Sequence, residues 1–199
     1  MVKRASLKWK VSYVVAYSFF RFVFGVRGFG CENVPLEGPV IIASNHRSGW
    51  DPPVLGFASP REVHFIAKRE LFNPFLSPII RFYNAHPIIR SAGAKGALLT
   101  ALNLLKKGFA IIIFPEGTRN RTNEPLLPLR RGIEWLAYNE EIKDSVAVVP
   151  TWIEHKKRGF DVFFGKPLYP REIEKDIFLN LLREKILTLR EKKEVGYGA

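Results

Sequence analysis

Pro39-Val40-Ile41-Ile42-Ala43-Ser44-Asn45-His46-Arg47-Ser48-Gly49-Trp50-Asp51-Pro52-Pro53 passes from an apolar run through a polar loop to a helix start. Residues 40–43 are a short, mostly β-branched run behind a proline, the pattern of a buried strand. Gly49 permits a turn, and an aspartate before two prolines reads as the opening of a helix. The alternation recurs outward from there. Residues 63–66 read as a second strand, and Ile88-Ile89 as a weaker third. Within residues 95–107, Leu98, Leu99, Ala101, Leu102 and Leu105 have helical spacing, and Gly108 follows at a C′ position. Residues 110–114 are the strongest strand. Residues 132–141 look helical, residues 146–149 read as a strand ending before Pro150, and residues 161–164 as a late strand. From Pro170 onward, Ile173, Ile177, Leu181, Leu182, Ile186 and Leu189 form the apolar stripe of an amphipathic helix. Strands alternating with helices predict an α/β domain, a mostly parallel sheet flanked by helices, over residues 28–199, with residues 28–38 as an entry loop. In such sheets the loops after strands carry the site. The polar clusters at 45–51, 68–70 and 116–121 all follow predicted strands.

Composition narrows the function classes. The chain has 199 residues, is 47% hydrophobic and 25% charged, and carries a net charge of +12. That is long enough for a sizeable core and too apolar for disorder. A lone cysteine, Cys31, excludes an intramolecular disulfide framework and a Cys-rich zinc site, and suits a reducing compartment. The positive excess fits nucleic acid, anionic lipid or a phosphorylated substrate. Nucleic acid is the weakest of these, since no RRM, KH, zinc-finger or helix-turn-helix signature occurs. Neither a P-loop nor a G-x-G-x-x-G run is present, and no metal site is evident.

Aromatic residues crowd the start: Trp9, Tyr13, Tyr17, Phe19, Phe20, Phe22 and Phe24 lie beside Lys3, Arg4, Lys8 and Lys10. Residues 11–24 contain no Gly or Pro and suit one helix of about 21 Å. A bilayer core needs about 30 Å, or about 20 residues, and Arg21 would be costly at its centre. The stretch after the run lacks the small-x-small site of a cleaved signal peptide. A buried core helix is the plain alternative. The preferred reading makes residues 1–27 an uncleaved interfacial segment that dips into one leaflet, cations at the head groups.

Two loops carry chemistry. His46 and Asp51 would lie about 140° apart on a continuous helix, so they meet only if the chain turns. Asp51 either caps the following helix or pairs with the Nδ1–H of His46, leaving Nε2 free as a base. Ser48 lacks a G-x-S-x-G elbow and reads as a loop hydrogen-bonder. In Phe114-Pro115-Glu116-Gly117-Thr118-Arg119, a strand runs into a tight turn. Gly117 allows close backbone approach, and Arg119 offers a planar fork suited to phosphate.

Four segments in this order resemble the glycerolipid acyltransferase family, the PlsC-like 1-acylglycerol-3-phosphate acyltransferases. Asn45, His46 and Asp51 match Asn-His-x4-Asp, and residues 65–72 resemble the second motif. Residues 114–119 match Phe-Pro-Glu-Gly-Thr-Arg in full, and Val148-Val149-Pro150 resembles the fourth. The second motif is nearer the lysophosphatidate branch than the glycerol-3-phosphate branch, and Asn120 stands where many members have Ser. The resemblance implies acyl transfer from acyl-CoA or acyl carrier protein to lysophosphatidic acid, with no other cofactor and no acyl-enzyme. It implies His46 as general base, Asp51 as its partner, and Lys68, Arg69, Glu116, Gly117, Thr118 and Arg119 as substrate contacts. It also implies a monotopic protein on the cytoplasmic face of an anionic membrane. Glycerol-3-phosphate or another lysophospholipid as acceptor, and a non-catalytic lipid-binding module, are the competing expectations. Residues 75–83 and 98–105 are candidates for lining an acyl channel, against ordinary core packing. If the N-terminal segment is the anchor, deleting residues 1–27 abolishes sedimentation with anionic vesicles; full retention of binding would refute it.

Overall fold

All five residues of β2 (Val40–Ser44) are buried, as a strand covered on both faces requires. The computed structural model describes residues 22–67, 83–87 and 93–192, with single positions 15, 18, 72, 74, 77 and 81. Lys68, Arg69, Ile88, Ile89 and most of the N-terminal segment lie outside the described residues. The strands are β1 (Val26–Phe29), β2, β3 (Val63–Ala67), β4 (Ala85–Pro87), β5 (Ala110–Ile113), β6 (Ala147–Lys156) and β7 (Gly159–Phe164). They form one sheet in the order β1-β7-β6-β2-β5-β3-β4. The β6–β7 pair is antiparallel and the other pairs are parallel. The predicted mostly parallel α/β sheet is what the chain forms.

Residue alternation sorts the core into two layers. Ile41, Ile111, Val148 and Trp152 face one side, against α2 (Gly93–Lys106), α3 (Gly132–Ala137) and α4 (Lys175–Lys192). Val40, Ile42, Ala110, Ile112, Val149 and Ile153 face the other, against Val54, Leu55 and Ala58 of α1 (Asp51–Ala58). Ala101, Leu102, Leu104 and Leu105 belong to the first layer, so much of the candidate acyl-channel stretch on α2 is core. No helix among the described residues is long and apolar enough to cross a membrane.

Several local expectations are corrected. The first residues of the expected entry loop, Gly28 and Phe29, end β1, which pairs with β7. Pro170 opens a short 3-10 turn, Pro170–Glu172, and the last helix begins at Lys175. Its buried stripe is Phe178, Leu182, Ile186 and Leu189, while Ile177 is exposed. β6 does not stop before Pro150. The even-numbered amide of Val148 donates toward Leu168, on the β7 side of β6. Pro150 shares that orientation and falls between the Val148–Leu168 bridge and the first β7 pair, Thr151–Phe164. A missing N–H therefore interrupts no ladder bond, and the strand runs on to Lys156.

His64 on β3 is only 6% exposed, with its Nδ1 2.9 Å from His86 Nε2 on β4. Burial, then the His86 and Arg61 charges, lower its pKa to about 4. The unfolded chain therefore binds the proton first, and stability falls as pH drops from about 6.5 to about 4. At 1.36 kcal/mol per unit the loss is at most about 3 kcal/mol. Asp51, whose folded pKa is depressed to about 2, keeps its stabilising contribution throughout that window and loses it only at lower pH. Urea denaturation at pH 7 and pH 4.5 should show His64→Gln losing less stability on acidification than the native chain.

Candidate active site

The parallel register Val40↔Ala110 through Ala43↔Ile113 makes β2 and β5 end side by side. Their loops therefore leave the same edge of the sheet, and the two motifs meet there. Asn120 N–H donates to His46 O at 2.6 Å, tying one loop to the other. The two carboxylate oxygens of Glu116 accept from His46 N–H at 2.7 Å and Leu127 N–H at 2.9 Å. Glu116 is 2% exposed. In the structure each oxygen accepts from a backbone amide, so the side chain holds the His46 loop.

Asp51 is the first residue of α1, with Trp50 as the N-cap. Its carboxylate does not cap the helix. Instead Oδ2 turns back to accept from Arg47 N–H at 2.7 Å and Ser48 N–H at 2.8 Å. The same oxygen lies 2.8 Å from His46 Nδ1. Burial pushes the Asp51 pKa up, but contacts from His155 and His46 and the amides of Ser48 and Arg47 outweigh it and hold it at about 2. The carboxylate is thus ionised at neutral pH, and the ring nitrogen facing it carries the proton. In the neutral ring that arrangement leaves Nε2 with the lone pair. The ring stacks on Phe114, centroids 4.0 Å apart, which fixes its plane.

Asn45, fully buried, spans to β6: its Nδ2 donates to Ile153 O at 3.0 Å and its Oδ1 accepts from Ile153 N–H at 2.7 Å. Ser48 is a loop hydrogen-bonder, accepting from Trp50 N–H at 3.2 Å. Cys31 packs at the far end of α1, its Sγ against Ala58 O, and burial raises its thiol pKa. It is no nucleophile for this site.

Gly117 has φ 70°, and a Cβ there would stand 2.5 Å from Arg130 Cδ. The turn therefore needs glycine twice, for its backbone and for the arginine laid over it. Arg130 Nε donates to Glu116 O at 3.1 Å. Thr118 and Arg119 are exposed. Arg119 Nη1 is near Gly49, 3.9 Å from where its Cβ would be, so this cation sits beside the His46–Asp51 loop. Its guanidinium has no hydrogen bond or ion pair to a described residue.

Two contributors escaped the sequence reading. Arg130 follows the Phe-Pro-Glu-Gly-Thr-Arg turn too distantly to be tied to it by spacing. His155 lies on the part of β6 beyond Pro150, with Nε2 2.9 Å from Asp51 Oδ1. Alternation with Val149 and Ile153 would have placed it on the Asp51 side, had the strand been carried through the proline. Glu116→Ala leaves two amides without their acceptor, which at about 1–3 kcal/mol of destabilisation should be visible in urea unfolding.

Residues 26–154 match the family model described as Acyltransferase. A 1-acyl-sn-glycerol-3-phosphate acyltransferase of Bacillus subtilis is 37% identical over 156 residues, 73% of this chain and 74% of that protein. One of the same name from Borreliella burgdorferi is 37% identical over 179 residues, 79% of this chain and 68% of its own length. The crystal structure of the 1-acyl-sn-glycerophosphate (LPA) acyltransferase PlsC of Thermotoga maritima shares the fold. Its TM-score is 0.74 at 24% identity, covering 96% of this chain and 81% of that one. With the family model spanning most of the chain and two relatives above a third identical, this protein belongs to the acyltransferase family.

Proposed function

We propose that the chain transfers a fatty acyl group from an acyl thioester to the free hydroxyl of lysophosphatidic acid, giving phosphatidic acid. The observation that carries this reading is the 2.8 Å contact of His46 Nδ1 with a buried, ionised Asp51. The names of the relatives supply the acceptor class.

In this reading His46 Nε2 takes the proton of the acceptor hydroxyl as its oxygen attacks the thioester carbonyl. The new C–O bond forms, and Asp51 stabilises the resulting imidazolium. Collapse of the tetrahedral intermediate breaks the C–S bond, and the proton passes from His46 to the departing thiolate. No acyl-enzyme forms, consistent with Cys31 at the far end of α1 and Ser48 engaged within its loop. Arg119, with Lys68 and Arg69 of the second motif, binds the acceptor phosphate. A net charge of +12 suits a phosphorylated acceptor and donor, either acyl-CoA or acyl carrier protein.

The reaction takes place at a membrane surface, on its cytoplasmic face. Phe22 is 91% exposed and Trp50 52%, and the Phe24 ring lies 5.5 Å from that of Trp50. The end of the N-terminal segment thereby joins the residue preceding Asp51, bringing apolar exposed surface beside the site. Thiol release from acyl-CoA tests the reading, with lysophosphatidate, glycerol-3-phosphate or another lysophospholipid as acceptor. Lysophosphatidate should be the preferred acceptor. His46→Ala should lower kcat about 10²–10⁴-fold, while Arg119→Ala should chiefly raise the acceptor KM. Thiol release that is independent of every acceptor would overturn the proposal.

A further inference from the structure

The two oxygens of Asp51 are served unequally. Oδ2 receives His46 and two backbone amides. Oδ1 is buried with no hydrogen-bond partner among the described residues, and His155 Nε2 lies 2.9 Å from it, off the hydrogen-bond line. That nitrogen is itself buried, with no other partner among the described residues. An ionised carboxylate this close to a ring nitrogen requires an N–H there, because two lone pairs would repel. Lys156 and Arg27 are paired with Asp161, and Glu154 accepts from Trp152 Nε1.

The fold makes His155 available in a definite way. Ser44, the last residue of β2, pairs with Thr151, so β6 overhangs the β2 end by several residues. Asn45 clamps the overhang at Ile153, and His155 follows on the same face. The Phe160 ring, opposite it on β7, meets the imidazole edge-on at 5.2 Å.

We propose that His155 is a positioning residue for the His46–Asp51 pair, donating from Nε2–H to Asp51 Oδ1. An aspartate carboxylate turns readily about its last side-chain bond. Held at both oxygens, it keeps Oδ2 directed at His46 Nδ1, and with it the direction of the His46 Nε2 lone pair. The second donor also draws off part of the carboxylate charge, lowering the basicity of His46. This inference rests on the reading of His46 as the general base.

The experiment uses the full chain in the thiol-release assay with lysophosphatidate. His155→Met and His155→Gln are similar in shape, and the glutamine alone keeps a donor. His155→Met should lower kcat about ten- to a hundredfold, leave the acceptor KM unchanged, and move the acid limb of the kcat/KM profile to higher pH. His155→Gln should restore most of kcat. Native kcat and an unmoved profile in His155→Met, or equal impairment of the two variants, would overturn the inference. His46→Ala measured alongside separates the two readings: if it retains native turnover, the general-base reading fails instead. Nitrogen NMR of the native chain with labelled histidine needs no variant to fold. Only four imidazoles are present, and His155 should be the neutral Nε2–H tautomer or the cation; an Nδ1–H tautomer at neutral pH would overturn the inference on its own.

Discussion

A carboxylate sealed from solvent and still ionised is the constraint around which this edge of the sheet is built. Taking the charge of Asp51 out of water opposes ionisation, and only a dense set of donors reverses that. At Oδ2 these are the amides of the loop after β2 and the His46 ring in that loop, while the His155 ring on the overhang of β6 lies against Oδ1. The loop must fold back over the first turn of α1 for its amides to reach Oδ2. Asp51 thus shapes the loop that presents His46, and the imidazole is oriented by that shape.

The second loop supports the first and leaves its own cation exposed. Glu116 spends both oxygens on backbone amides, and Asn120 closes a bond to the His46 carbonyl. A conspicuous acidic side chain in a motif is therefore a brace, while Arg119 next to it points its charge toward solvent beside Gly49. This division lets a rigid frame present a guanidinium whose donors remain available for an anionic ligand.

Much of this architecture is legible in the sequence, because period-2 β-branched runs and helical stripes report which faces are buried. Residues 40–43 and 110–113 declare their strands plainly. The His46–Asp51 pair is legible too, since five residues and a glycine permit a turn that a helix forbids. What escapes depends on long-range register. A proline ordinarily ends a central strand, so β6 reads as stopping at Val149, and His155 stays unassigned. Whether Pro150 breaks the ladder depends on the residue beside it, and Gly165 donates to the Pro150 carbonyl without needing the missing N–H. The last helix is misplaced for a related reason: Pro170 suits a first helical position, but here it opens a 3-10 turn. Between the two roles open to Asp51, helix cap or partner of His46, the loop geometry decides, because its carboxylate turns away from its own helix.

The Asn45 clamp on Ile153 joins positions 108 residues apart. As a ribosome delivers the chain, the His46 loop and the helix after it emerge well before the strand to which Asn45 ties them. Until that strand exits and seats, His46 has its aspartate in sequence but no wall to brace it. Catalytic competence in this protein is therefore acquired late in biosynthesis, and a chain cut short before β6 carries the motif without the machine.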